Sequence, residues 1–213
     1  MGETSTAFVI GNGKSRLIFD LEKLKQHGET YGCNAIYRDF LPDNLFAVDG
    51  KMVKEFYREK IAERTKVWIN RDAPYDRTEG MNVFPKEIRK GTGCGFAALL
   101  KAVYDGHNKI YMLGFDLHDP EEKPYQYFNN VYAGTENYKG KYDSPPSSAR
   151  YVPKLLKILE ANKDKTFIRA WNAEHKYIPE QWLSKNITNL QHISNVELGE
   201  ELDVLVQEDT HTG

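Results

Sequence analysis

Two glycine turns and a series of polar residues behind short apolar runs hold most of the chemistry this sequence can offer. Gly11-Asn12-Gly13-Lys14-Ser15 follows directly on Ala7-Phe8-Val9-Ile10. Glycine allows positive φ and, lacking a Cβ, lets the backbone approach a ligand closely. Backbone N–H groups in such a turn suit phosphate oxygens, although Gly-Asn-Gly serves equally as a plain tight turn. A second turn, Thr92-Gly93-Cys94-Gly95, opens an apolar helix. Its glycines suit either a phosphate or close packing of helix on sheet. Behind the other apolar runs stand Asn34, Asp49, Asn70, Asp116 and Asn172. Asp116 could orient a hydroxyl or a water, or cap the following turn. His118, two residues on, is of the type that titrates near neutrality, which suits acid–base work or contact with a phosphate; a loop histidine is more often simply solvated.

Those residues need elements to position them, and the apolar runs supply the elements. Residues 7–10, 30–33, 45–48, 66–69, 109–113 and 166–170 read as short buried strands, with weaker candidates at 82–84 and 190–193. Residues 51–64 carry Met52, Val53, Phe56, Tyr57 and Ile61 at helical spacing, 96–104 form an apolar helix, and Ser147 can cap a helix running to Ala161. A short helical turn precedes Gly28, and another begins near Tyr177. Strands alternating with amphipathic helices predict a single Rossmann-like α/β domain over 1–213, with a mostly parallel sheet and helices on both faces. In that architecture ligands bind beyond the carboxyl ends of the strands, where all these polar residues fall.

Residues 117–146 break the pattern. Proline and glycine punctuate them, and Tyr125, Tyr127, Phe128, Tyr132, Tyr138 and Tyr142 run through them. A long irregular stretch inside a compact domain is commonly functional, so this segment is expected to act as a lid or substrate loop. The acidic end, 197–213, is expected to be an exposed tail.

Composition excludes several classes. The chain has 213 residues, a net charge of −2, and 40% hydrophobic and 28% charged residues. That is ordinary for a globular domain able to bury its own core, and it lacks the basic surplus of a nucleic-acid binder. No run is long enough to span a membrane, and Met1–Thr6 lacks the pattern of a signal peptide. Two cysteines, Cys33 and Cys94, are too few for a disulfide scaffold. A cytoplasmic protein is expected.

Taken together, Gly11–Ser15, Gly32-Cys33-Asn34-Ala35, Thr92–Gly95 with its helix, and Lys109–Asp116 resemble the bacterial sialyltransferases of the Campylobacter lipooligosaccharide type. They are also similar to the wider Rossmann-like set that includes archaeal pterin pyrophosphokinases, flagellin-modifying Maf proteins and small bacteriophage proteins. The likeness covers roughly residues 7–172. It implies a glycosyltransferase that binds a nucleotide-activated sugar, CMP-linked in the sialyltransferases, with Asn12, Gly13, Ser15 and Asn34 on the nucleotide and Thr92, Cys94 and Gly95 nearby. With the strand-end residues Gly11 and Asp49, these make up the candidate nucleotide site; His118 and Asp116 are the candidate catalytic pair. The sequence departs from the family at two points. His118 stands where the family has a phosphate-contacting tyrosine, and Tyr142–Ser148 lacks the family's catalytic histidine. Two other readings therefore stay open: an ATP- and Mg²⁺-dependent pyrophosphokinase-like enzyme using Asp49, Asp72 and Asp116, and a non-catalytic phage protein that keeps the fold. The expected partners are a nucleotide or nucleotide sugar and an acceptor, without nucleic acid; a homo-oligomer is open.

Overall fold

Eight short strands form one sheet in the computed structural model, which describes residues 5–70, 75, 77–88, 93–116, 130–138, 148–171 and 178–203. The strands are β1 (Thr6–Ile10), β2 (Glu29–Cys33), β3 (Asn44–Ala47), β4 (Lys66–Ile69), β5 (Asn82–Val83), β6 (Lys109–Leu113), β7 (Thr166–Trp171) and β8 (Leu190–Ser194). Their order is β5-β4-β3-β2-β1-β6-β7-β8, and each neighbouring pair is parallel. The sheet is thus wholly, rather than mostly, parallel among the described residues. The chain winds outward from β1 to β5, then returns through helix α3 (Cys94–Tyr104) to lay β6 on the other side of β1. That reversal between β1 and β6 is the switch point at which an open α/β sheet offers a crevice.

Strand alternation sorts the core into two layers. Ala7, Val9, Ile110 and Met112 pack with α3 and with α4 (Ser148–Ala161). Phe8, Ile10, Tyr111 and Leu113 point the other way, onto α1 (Leu21–Leu24), α2 (Gly50–Arg58) and α6 (Asn195–Glu201). The remaining helix, α5 (Glu180–Leu183), adds Trp182 to the first layer. Ala97, Ala98 and Ala102 are fully buried, and such small side chains bring α3 close to the strands it crosses. Of the expected acidic tail, residues 197–201 belong to α6 instead. Ser194 and Glu197 close a capping box at its start, and Leu198 is fully buried, so an apolar position and a cap outweigh the local negative charge. Residues 204–213 lie outside the described residues.

Candidate functional site

At the switch point, the turns after β1 and β6 are pressed together. The Gly11 N–H donates to the Leu113 carbonyl at 2.7 Å, and the Gly13 N–H to the Gly114 carbonyl at 3.1 Å. A Cβ at position 11 would stand 2.7 Å from the Gly114 oxygen, and one at position 13 would stand 2.5 Å from both that oxygen and the Asp116 carboxylate. Neither Gly11 nor Gly13 has positive φ; the left-handed residue of the pair of turns is Gly114, at φ 66°. Close approach, rather than conformation, thus accounts for the glycines in Gly-Asn-Gly, and what approaches them is the neighbouring turn. Their N–H groups are engaged with backbone carbonyls, not turned toward a phosphate.

Asp116 is drawn into the same contact. Its carboxylate accepts the Ser15 N–H at 3.1 Å and also takes the Ser15 hydroxyl. Underneath, the fully buried Arg169 of β7 donates to the carbonyls of Phe115 at 2.8 Å and Asp116 at 2.6 Å. An arginine inside an apolar strand was the sequence signal for this fixture, since a buried cation has to find acceptors.

Two of the buried polar atoms that lack partners among the described residues stand together at the carboxyl ends of β1 and β2. The Asn12 amide nitrogen donates to the Cys33 carbonyl at 3.1 Å and to the Tyr138 hydroxyl at 3.2 Å. Its Oδ1 is buried and has no hydrogen-bond partner among the described residues, and the same holds for Oδ1 of Asn34. Asn12 is only 8% exposed. Asn34 follows β2 at φ 55°, a left-handed conformation that asparagine tolerates better than most residues. A buried acceptor without a donor is destabilising by about 1–3 kcal/mol, so two on neighbouring strand ends form a notable concentration.

Around them stand Cys33, Cys94, Asp49 and Tyr75. The Cys94 thiol donates to the Phe46 carbonyl at 3.0 Å, and burial, with Cys33 beside it, pushes its pKa up. Such a thiol is unreactive. Asp49 precedes α2 without capping it by its side chain. The Tyr75 hydroxyl donates to the Val48 carbonyl at 2.9 Å; its pKa is raised by burial and then by the Asp49 charge. Gly95 needs no special space, since a Cβ there would meet the Phe115 ring at an ordinary 3.6 Å. His118, Thr92, Asp72 and Asn172 lie outside the described residues, as do 117–129 and 139–146 of the expected lid segment. No group of three or more His, Cys, Asp or Glu side chains among the described residues could hold a metal ion.

The described part of that segment, residues 130–138, is a strap across the carboxyl ends of β1 and β2. The Val131 N–H donates to the Asn12 carbonyl at 2.8 Å. Tyr132 bonds Asp39 and, at 2.6 Å, the buried Arg16. Asn137 reaches Glu55 at 2.5 Å, where Tyr37 at 2.5 Å and Arg38 at 2.5 Å also converge. Arg58 pairs with Glu136 at 2.9 Å. Burial opposes ionisation of Glu55, but these donors outweigh it and hold its pKa below the usual carboxylate value; burial and Glu55 push Tyr37 up to about 12. The sequence marked this stretch as aromatic, but its partners are about eighty or more residues away in the chain and leave no local pattern.

No protein-family model matches this chain, and no curated protein sequence matches it. Among solved structures, it is similar to a variant of the sialyltransferase CST-II in complex with CMP, at 13% identity and a TM-score of 0.46, over 93% of this chain and 98% of that one. No helix among the described residues is long and apolar enough to cross a membrane.

Proposed function

We propose that this chain binds the nucleoside part of a nucleotide-activated sugar at the carboxyl ends of β1 and β2, and transfers the sugar to an acceptor hydroxyl. One observation carries the binding: the buried, partnerless Oδ1 atoms of Asn12 and Asn34. Both are acceptors, so they call for donors. A ribose hydroxyl or the exocyclic amino group of a nucleobase is a donor; a phosphate at neutral pH is not. The engaged N–H groups of Gly11, Gly13 and Ser15 agree with a site that reads the nucleoside rather than cradling phosphate. Sugar transfer as the reaction comes from the sequence resemblance. In this reading Asp116 fixes Ser15, Cys94 and Gly95 flank the nucleotide, and His118 supplies acid–base chemistry from just beyond Asp116.

Thermal shift with CMP, CTP, UDP, GDP and ATP, each with and without Mg²⁺, tests it, because a ligand that binds only the folded state raises the melting temperature. Stabilisation by at least one nucleotide is expected. The Asn34→Gly variant keeps the left-handed backbone and removes the amide, so it should fold as well as the parent and bind that nucleotide about 10-fold or more weakly, about 1.4 kcal/mol. Equal affinity in the variant would refute the assignment, and no shift with any nucleotide would favour a non-catalytic protein.

A further inference from the structure

We propose that the strap of residues 130–138 is a tethered competitor for the β1–β2 crevice, with the Tyr138 hydroxyl standing where an oxygen of the ligand has to go. The proposal rests on the nucleoside-binding reading above. Two N–H donors at the crevice, Asn12 Nδ2 and the Ala35 backbone, both point at the Tyr138 oxygen, at 3.2 Å and 3.4 Å. These bonds are long, at and beyond the upper end of the N–H···O range. They occupy the donors next to the two partnerless asparagine oxygens and leave those oxygens unsatisfied. A ribose or base edge carries both donors and acceptors and could satisfy all four groups; a single tyrosine hydroxyl does not.

The rest of the strap is held elsewhere. Glu55 has a 1% exposed side chain and gathers Arg38 and Asn137, Arg58 pairs with Glu136, and Tyr132 sits on Arg16 and Asp39. None of these anchors uses the crevice groups Asn12 Nδ2 or Ala35 N–H. The weak contact is therefore made by one side chain of a firmly tied segment. Rotation of Tyr138 about its own side-chain bonds exchanges it for a ligand without releasing the strap. A site whose competent form is only partly populated binds with an affinity reduced by that fraction. The strap sets that fraction.

Tyr138→Phe is the test, read by calorimetric titration with the nucleotide that gives the largest shift among CMP, CTP, UDP, GDP and ATP. The ring and its packing on Tyr132, 5.6 Å between centroids, remain, while the competing oxygen is gone. Affinity should rise about 3- to 10-fold. Unchanged or weaker binding overturns the proposal, and weaker binding would make Tyr138 a ligand contact. Should the variant fail to fold, wild-type protein with ¹³C-labelled tyrosine gives the same answer. Titration should move the Tyr138 ring signals and leave those of Tyr37, which is bonded to the Glu55 anchor, in place; joint movement of these two, or none at Tyr138, overturns it. If no nucleotide binds either wild type or variant, the nucleoside reading and this proposal fall together. If a nucleotide binds the variant alone, both stand.

Discussion

Single glycines in this site do different work, and the sequence alone does not separate them. Gly13 and Gly95 both sit in glycine-rich turns before helical segments and look interchangeable on paper. In space, Gly13 has a backbone oxygen and a carboxylate 2.5 Å from where a Cβ would be, whereas Gly95 has the Phe115 ring at 3.6 Å. Gly13→Ala should therefore destabilise the fold by about 1–3 kcal/mol, as overpacking does. Gly95→Ala should stabilise it by about 0.4–1 kcal/mol, because alanine fits the first turn of α3 and restricts the unfolded chain. Urea denaturation of both variants checks this; equal midpoints would mean that the turn at Gly13 yields. If Gly95 also borders the nucleotide, its alanine variant gains stability while losing affinity, a combination that packing alone does not produce. The strand-end residues Asn12, Asn34, Asp49 and Asp116 were legible from their place after apolar runs. Which of them have unanswered polar atoms was not, because that depends on turns and straps that arrive from distant parts of the chain.

Elements were read more readily than their attachments. The segments Lys66–Ile69 and Lys109–Leu113 are strands to the residue; in the second, Ile110–Leu113 is buried on both faces and is accordingly written as an unbroken apolar run. The strap has no such signature. Its hold on the sheet is polar, and its main fixture is Glu55, a carboxylate on the inward face of α2 between Met52, Val53 and Phe56. A charge at that position is a local inconsistency, resolved only when Arg38, Tyr37 and Asn137 converge on it. Glu55→Ala removes the acceptor that Tyr37 and Asn137 share and leaves Arg38 only the Thr135 hydroxyl and the Glu136 carbonyl. Breaking a fully buried pair is destabilising by about 3–5 kcal/mol, but Arg38 is 24% exposed and can turn to water. The expected loss is about 2–3 kcal/mol in urea denaturation. Glu55→Gln, which keeps an acceptor, should lose clearly less. Equal losses would show that the acceptor is immaterial and the negative charge alone matters. Loosening the strap in this way should also tighten nucleotide binding if Tyr138 competes for the crevice.

At the scale of the whole molecule, the sheet carries an acid-sensitive point at the end opposite β5. His192 lies on the edge strand β8, stacked on Trp171 at 4.7 Å between centroids and on Trp182 at 5.9 Å. Arg169 is its register partner on β7, and the histidine's Nδ1 is buried without a hydrogen-bond partner among the described residues. Burial, and then the Arg169 charge, lower its pKa from 6.5 to about 4. A histidine with a depressed folded-state pKa takes up its proton more readily in the unfolded chain. Its contribution to stability is then complete above pH 6.5 and is lost progressively as the pH falls toward about 4. Glu55 and Glu201 have pKa values held below the carboxylate reference of 4.5, so their contributions begin to fall only near and below that value. Between pH 6.5 and 4.5 the histidine can therefore be distinguished from them. The wild-type urea midpoint should drop across that window. In His192→Phe, which keeps a flat ring between the two tryptophans and cannot titrate, the drop should be much smaller, while stability at pH 7 stays close to the parent. An undiminished drop in the variant would assign the acid sensitivity to other groups and leave His192 as a packing ring.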